Sequence, residues 1–101
     1  MPRLRLQATG SGWVCRALLE SLPEWFGIPE SVDEYVEAAE ASPSVIAAVD
    51  ERDIGLLTLH HHSPYAAEIL VIAVAREYHR GGVGRAMVEH AERLLARDGV
   101  E

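Results

Sequence analysis

The chain has 101 residues, 49% of them hydrophobic and 25% charged, with a formal net charge of -7. This length allows one domain with a modest core, and the acidic balance argues against nucleic acid or an anionic membrane as main partner. The acidic balance mildly favours a cationic binding partner, such as an amine. No apolar run is as long as a membrane span, and the N-terminus lacks a signal-peptide core. Since Cys15 is the single cysteine, an internal disulfide is excluded and we expect a reducing, cytoplasmic location.

The first part of the chain predicts a strand followed by two helices. Residues 3–7 alternate polar and apolar side chains, as in a strand. Residues 13–21 have helical periodicity and end before Pro23. Ser31 and Glu34 have the spacing of a capping box, which predicts that the second helix is capped by Ser31.

The second part of the chain predicts a hairpin, a long strand and a last helix. Residues 45–49 and 54–60 favour two strands, joined by a polar turn at 50–53. Residues 67–74 are apolar on both faces, which is typical of a buried strand. Residues 84–97 form an amphipathic helix pattern. The predicted order is therefore β-α-α-β-β-β-α, an α/β fold with a mixed, largely antiparallel sheet and flanking helices.

The connection between the last strand and the last helix is the most informative segment. It is rich in glycine and arginine: Arg76, Arg80, Gly81, Gly82, Gly84 and Arg85. A glycine turn that opens a helix leaves backbone N–H groups unpaired, and arginines beside it in an acidic chain indicate a site for phosphate. Two nucleotide motifs are excluded, because a Rossmann turn needs a third glycine and a P-loop needs a lysine that this chain lacks. A simple strand–helix connection with glycines for tight packing is the structural alternative.

Residues 79–86 resemble the acetyl-CoA signature of the GCN5-related N-acetyltransferases (GNAT), Gln/Arg-x-x-Gly-x-Gly/Ala. Gly82 and Gly84 match the two small positions, and His79 stands at the Gln/Arg position. Residues 72–74 resemble the fourth strand of that family, whose backbone pairs with the pantetheine arm. The resemblance implies one partial GNAT domain over residues 1–101. It lacks the fifth strand, the closing hairpin, and the intervening helix, whose tyrosine usually acts as general acid.

The resemblance also implies a set of site residues. The cosubstrate would be acetyl-CoA, bound by Ala73, Val74, His79, Arg80, Gly81, Gly82, Val83, Gly84 and Arg85. The Val74 N–H would donate to the thioester carbonyl as negative charge develops there. Glu68 lies six residues earlier, so period-two alternation predicts that both side chains share a face. We expect Glu68 to act as general base, the alternative being a solvated or ion-paired carboxylate.

Other polar and aromatic clusters carry less specific signals. Trp25 and Phe26, in the loop between the first two helices, either line the acceptor pocket or cover the core. The run of histidines at 60–62 has no convergent cysteine or carboxylate, so we expect no metal site.

Two functions follow from the resemblance. The first is an N-acetyltransferase in which an amine, on a small molecule or a peptide, attacks acetyl-CoA directly in a ternary complex. The second is a non-catalytic CoA-binding or association module, because strand 67–74 would be an exposed edge at which two copies could pair.

Overall fold

The computed structural model describes residues 2–63 and 66–97. Within them it contains four strands and three helices: β1 (Arg3–Gln7), α1 (Gly12–Glu20), α2 (Pro29–Ala41), β2 (Ser44–Val49), β3 (Arg52–Ser63), β4 (Ala66–Val74) and α3 (Val83–Arg97). A 3₁₀ turn, Arg76–Tyr78, lies between β4 and α3. The predicted α/β class and element order are confirmed.

The sheet is antiparallel, and its strands follow the chain order β1-β2-β3-β4. β2 and β3 are joined by Asp50 and Glu51, which have positive φ angles of 50° and 67°. Two positive φ angles give a tight hairpin turn whose twist matches that of the strands. The polar turn is therefore shorter than predicted, since Arg52 and Asp53 already pair with β2.

Helices cover both faces of the sheet. Met87 of α3 packs against Gly55 of β3, where an added Cβ would lie 3.1 Å from the Met87 Cε. The absence of a side chain at Gly55 therefore allows α3 to sit close to the sheet. α1 and α2 lie antiparallel on the opposite face, the Gly12 N–H donating to the Glu40 carboxylate at 3.1 Å. The core between these layers includes the fully buried Leu19, Ile46, Ile54, Leu56, Leu57 and Met87.

The predicted start of the second helix is wrong. α2 begins at Pro29, with Ile28 at the capping position, and it has no side-chain cap. Ser31 lies inside the first turn. Proline is favoured at the first helical position because its fixed φ suits the helix and its missing N–H would have no partner there. This preference outweighs the capping box that Ser31 and Glu34 suggest.

β4 lies at an edge of the sheet. It pairs with β3, and no other described strand pairs with it. Ile69 and Ile72 on this strand remain 42% and 37% exposed. Within the described ranges, therefore, no strand pairs with the backbone groups on the outer side of β4.

Candidate functional site

The chain reverses direction sharply between β4 and α3. The Ala75 N–H donates to the Ile54 carbonyl at 2.7 Å, and the 3₁₀ turn follows. Arg80 and Gly82 then adopt positive φ angles of 67° and 80°. Tyr78 is partly buried and packs against the core. The start of α3 is thus held beside the end of β4.

The first turn of α3 presents unpaired N–H donors. The first backbone bond within this helix runs from the Ala86 N–H to the Gly82 carbonyl, at 3.0 Å. The N–H groups of Val83, Gly84 and Arg85 therefore have no carbonyl one turn earlier to bind. No heavy atom lies within 4 Å of the position that a Cβ on Gly82 would take, so the turn faces open space.

A groove of about 380 Å³ lies between the end of β4 and this turn. It is lined by Ile72, Ala73, Val74, Tyr78, His79, Arg80, Gly82, Val83, Gly84 and Arg85. Most residues predicted to bind the cosubstrate are thus brought together. Gly81 belongs to the same turn but does not line the groove, because its N–H turns back to the Tyr78 carbonyl at 3.3 Å.

The three arginines that the sequence groups together have different roles. Arg76 forms an ion pair with Glu24, and Arg85 donates to Glu89 at 3.1 Å. Arg80 forms no ion pair with any residue of the described ranges. Its guanidinium is therefore the charge in the turn that remains available to an anion, reinforced by the positive end of the α3 dipole.

His79 joins the turn to the end of β4. Its Nε2–H donates to the Val74 carbonyl at 2.7 Å. Since the Ala75 N–H points toward β3, alternation along the strand directs the Val74 N–H and carbonyl to the outer edge. His79 thus occupies the outer carbonyl of Val74 and leaves the N–H as an open donor.

A model of the acetyltransferase (GNAT) family matches residues 14–101 of the chain. The chain belongs to the GNAT family. This agrees with the predicted resemblance and with the geometry of the turn. Among proteins of curated function, no match was found.

Several solved structures share the fold. A GNAT-family protein from Desulfovibrio desulfuricans superposes with a TM-score of 0.84 at 20% identity, over 99% of this chain and 69% of that chain. The ribosomal-protein-S18-alanine N-acetyltransferase of Escherichia coli gives 0.80 at 20% identity, over 99% and 63%. The PaiA N-acetyltransferase of Thermoplasma acidophilum, solved in complex with coenzyme A, gives 0.74 at 15%, over 99% and 75%. At these identities the likeness shows the GNAT fold.

Glu68 does not share a face with Val74, so that part of the prediction is wrong. Thr58 pairs with Val71, whereas the next residue of β3 pairs with Ile69, so Leu70 is an extra residue in β4. This β-bulge reverses the alternation between Glu68 and Val74. Glu68 is the cross-strand partner of His60 and lies on the face of the sheet opposite Val74. The sequence could not predict this bulge, because a strand that is apolar on both faces has no polar/apolar alternation for a bulge to interrupt.

The two aromatic residues of the α1–α2 loop have different surroundings. Phe26 packs edge-on against Tyr35, with ring centroids 6.2 Å apart, and it is partly buried against the core. Trp25 is 62% exposed, and its ring meets the ring of His79 at 5.5 Å and 70°. Phe26 thus covers part of the core, whereas Trp25 lies next to the turn.

Two further features to consider are groups of metal-binding side chains and helices that could span a membrane. No group of three metal-binding side chains occurs in residues 2–60 and 67–96, where side chains are described, and the side chains of His61 and His62 lie outside that part. None of the helices in the described ranges is both long and apolar enough to cross a bilayer.

Proposed function

We propose that this GNAT domain binds acetyl-CoA with its phosphates on the turn at residues 80–85 and transfers the acetyl group to an amine. The observation that carries the proposal is the set of open donors at one end of β4. Three N–H groups at the start of α3 and the Arg80 guanidinium face the same groove as the Val74 N–H. A diphosphate and a thioester are the two electron-rich parts of acetyl-CoA that such donors suit.

The residues present fit this cosubstrate in two respects. Gly82 combines a positive φ with open space around its Cβ position, so a phosphate can approach the backbone closely. The Gly84 Cβ position lies 3.8 Å from the Ile72 Cδ1, so this residue leaves a narrow gap between α3 and β4. The family signature has a small residue at both places.

Few groups of the protein take part in the reaction. Acetyl-CoA supplies a thioester, whose acetyl carbon forms a bond to the amine nitrogen as its bond to sulfur breaks, and CoA leaves as the thiolate. The Val74 N–H stabilises the negative charge that develops on the acetyl oxygen. Glu68 is the candidate acceptor for the proton that the amine loses, either directly or through water.

A calorimetric titration with acetyl-CoA tests the binding step. We expect Arg80→Ala to weaken binding about 10- to 100-fold, because a charge-assisted hydrogen bond is lost. Arg85→Ala should have a smaller effect, since Glu89 already pairs with that guanidinium. Arg93→Ala, the same change of charge on the exposed side of α3, is the matched control. Equal affinities for the three variants would contradict the proposed phosphate site.

The second candidate function is a CoA-binding or association module without catalysis. The bulge at Leu70 favours it, because it removes the shared face that would place the Glu68 carboxylate beside Val74. Release of CoA from acetyl-CoA in the presence of a panel of primary amines separates the two candidates. CoA release that is lost in Glu68→Gln supports the enzyme, whereas binding without release under any amine supports the module.

A further inference from the structure

The segment between α1 and α2, residues 21–28, is called the 21–28 loop. Its base is fixed in the core by Leu22, which is 2% exposed. The N–H groups of Trp25 and Phe26 both donate to the Leu22 carbonyl, at 3.1 and 3.0 Å. This tight bonding at the base directs the tip of the loop, Glu24 and Trp25, toward the connection between β4 and α3.

An ion pair makes the first contact between the loop and that connection. The Arg76 guanidinium, in the 3₁₀ turn, pairs with the Glu24 carboxylate. The same guanidinium also lies 3.5 Å from the Ser21 carbonyl. Arg76 therefore reaches both the start and the tip of the loop. Its positive charge is thus already paired within the protein.

The second contact is the edge-to-face packing of Trp25 on His79. His79 is itself fixed by its hydrogen bond to the Val74 carbonyl, and it directly precedes Arg80. Because Trp25 is largely exposed, its position depends on His79 more than on the core. Contacts of these two kinds are individually weak at a surface. The loop is thus held to the turn marginally, so a ligand on the turn can alter its position.

We propose that Glu24 and His79 are positioning residues that fasten the 21–28 loop to the acetyl-CoA turn. Binding at the turn orders Arg80 and its neighbour His79, and this fixes Trp25 at the end of β4 where the thioester would react. The inference rests on the proposed function. It adds that the loop between α1 and α2 responds to occupancy of the turn.

The fastening is tested first without ligand. The Trp13→Phe protein has Trp25 as its only tryptophan, so acrylamide quenching reports exposure of the loop tip. In this background Glu24→Arg should increase quenching, and the double exchange Glu24→Arg, Arg76→Glu should restore it. Asp33→Arg, which breaks the exposed ion pair with Arg16, is the matched control. Quenching that is unchanged in Glu24→Arg, or not restored by the double exchange, would overturn the fastening.

The response to acetyl-CoA is tested in the same Trp13→Phe background by calorimetry and by Trp25 quenching. We expect acetyl-CoA to reduce quenching. His79→Gln keeps an N–H donor for the Val74 carbonyl but has no ring for Trp25 to pack on. It should bind about 2- to 10-fold more weakly, with the Trp25 response lost. Two results would overturn only the coupling between the turn and the loop. One is that acetyl-CoA binds to the Trp13→Phe protein without changing Trp25 quenching. The other is that His79→Gln shows the full change in quenching. No binding by the folded chain would overturn the proposed function instead, and the ligand-free experiment would still decide the fastening.

Discussion

Two glycines of the turn, two residues apart, should respond in opposite directions to the same substitution. Gly82 has a φ of 80°, in the region that a side chain disfavours, whereas Gly84 has no positive φ and lies within the first turn of α3. An added methyl group meets no atom within 4 Å at Gly82, and meets only ordinary contacts of 3.8 and 3.9 Å at Gly84. Steric overlap is therefore excluded at both positions, and backbone conformation decides the outcome.

The magnitudes follow from that difference. Alanine in the left-handed region costs about 1–2 kcal/mol. Part of this cost is offset because alanine also restricts the unfolded chain, so we expect Gly82→Ala to lower the free energy of unfolding by about 1 kcal/mol. Alanine within a helix is favoured over glycine, so Gly84→Ala should raise that free energy by about 0.5–1 kcal/mol. For a domain of this size, 1 kcal/mol corresponds to about 4–8 °C in Tm.

Urea unfolding of the two variants and of Gly82→Asn measures this contrast. Asparagine tolerates the left-handed region, so Gly82→Asn should lose less stability than Gly82→Ala. Gly84→Ala should also keep acetyl-CoA binding, because the family signature accepts alanine there. A Gly82→Ala protein as stable as the original, or a Gly82→Asn protein no better than Gly82→Ala, would refute the conformational argument.

Three further predictions concern other buried or paired groups. The Ser44 and Thr58 hydroxyls are buried and 2.9 Å apart, so Ser44→Ala should cost about 1–3 kcal/mol in urea unfolding, and Ser44→Ala with Thr58→Val should recover most of it. Burial raises the pKa of Cys15 from 9.0 to about 11, so its thiol should react with a disulfide reagent only after unfolding. Because the folded pKa is the higher one, the stability that Cys15 contributes should be lost as pH rises from about 9 to 11, and Cys15→Ala should remove that loss. The pKa of Glu77 is lowered, first by a backbone hydrogen bond and then by Arg52. Its contribution to stability is therefore present at neutral pH and lost in acid, as pH falls through the folded pKa. Glu77→Gln should therefore lower the urea concentration at the unfolding midpoint at neutral pH but not in acid.

The parts of the fold that depend on local sequence could be predicted. The strands and the last helix follow from hydrophobic periods of two and 3.6 residues, and their bounds are correct to within a few residues. The turn at 79–85 could be predicted because glycine and arginine act there through backbone freedom and charge, which are properties of the residues themselves.

The parts that depend on distant partners could not be predicted. Arg76, Arg80 and Arg85 look equivalent in the sequence, but Glu24, which lies 52 residues before Arg76, forms an ion pair with it. The bulge at Leu70 is set by pairing with β3, and it places Glu68 on the face opposite Val74. In both cases a tertiary contact decides which way a functional group points.

The end of β4 and the start of α3 present open hydrogen-bond donors, and two of the acceptors beside them are occupied. The Val74 carbonyl is bound by His79 and the Gly82 carbonyl by the Ala86 N–H, whereas the Val74 N–H and the first N–H groups of α3 remain open. An electron-rich ligand would find several donors here. In the proposed function, the diphosphate and the thioester carbonyl of acetyl-CoA would both accept hydrogen bonds from these donors. The amine of the proposed reaction, being cationic until it loses a proton, is not attracted by these donors. The acidic character of the chain suits such a cation.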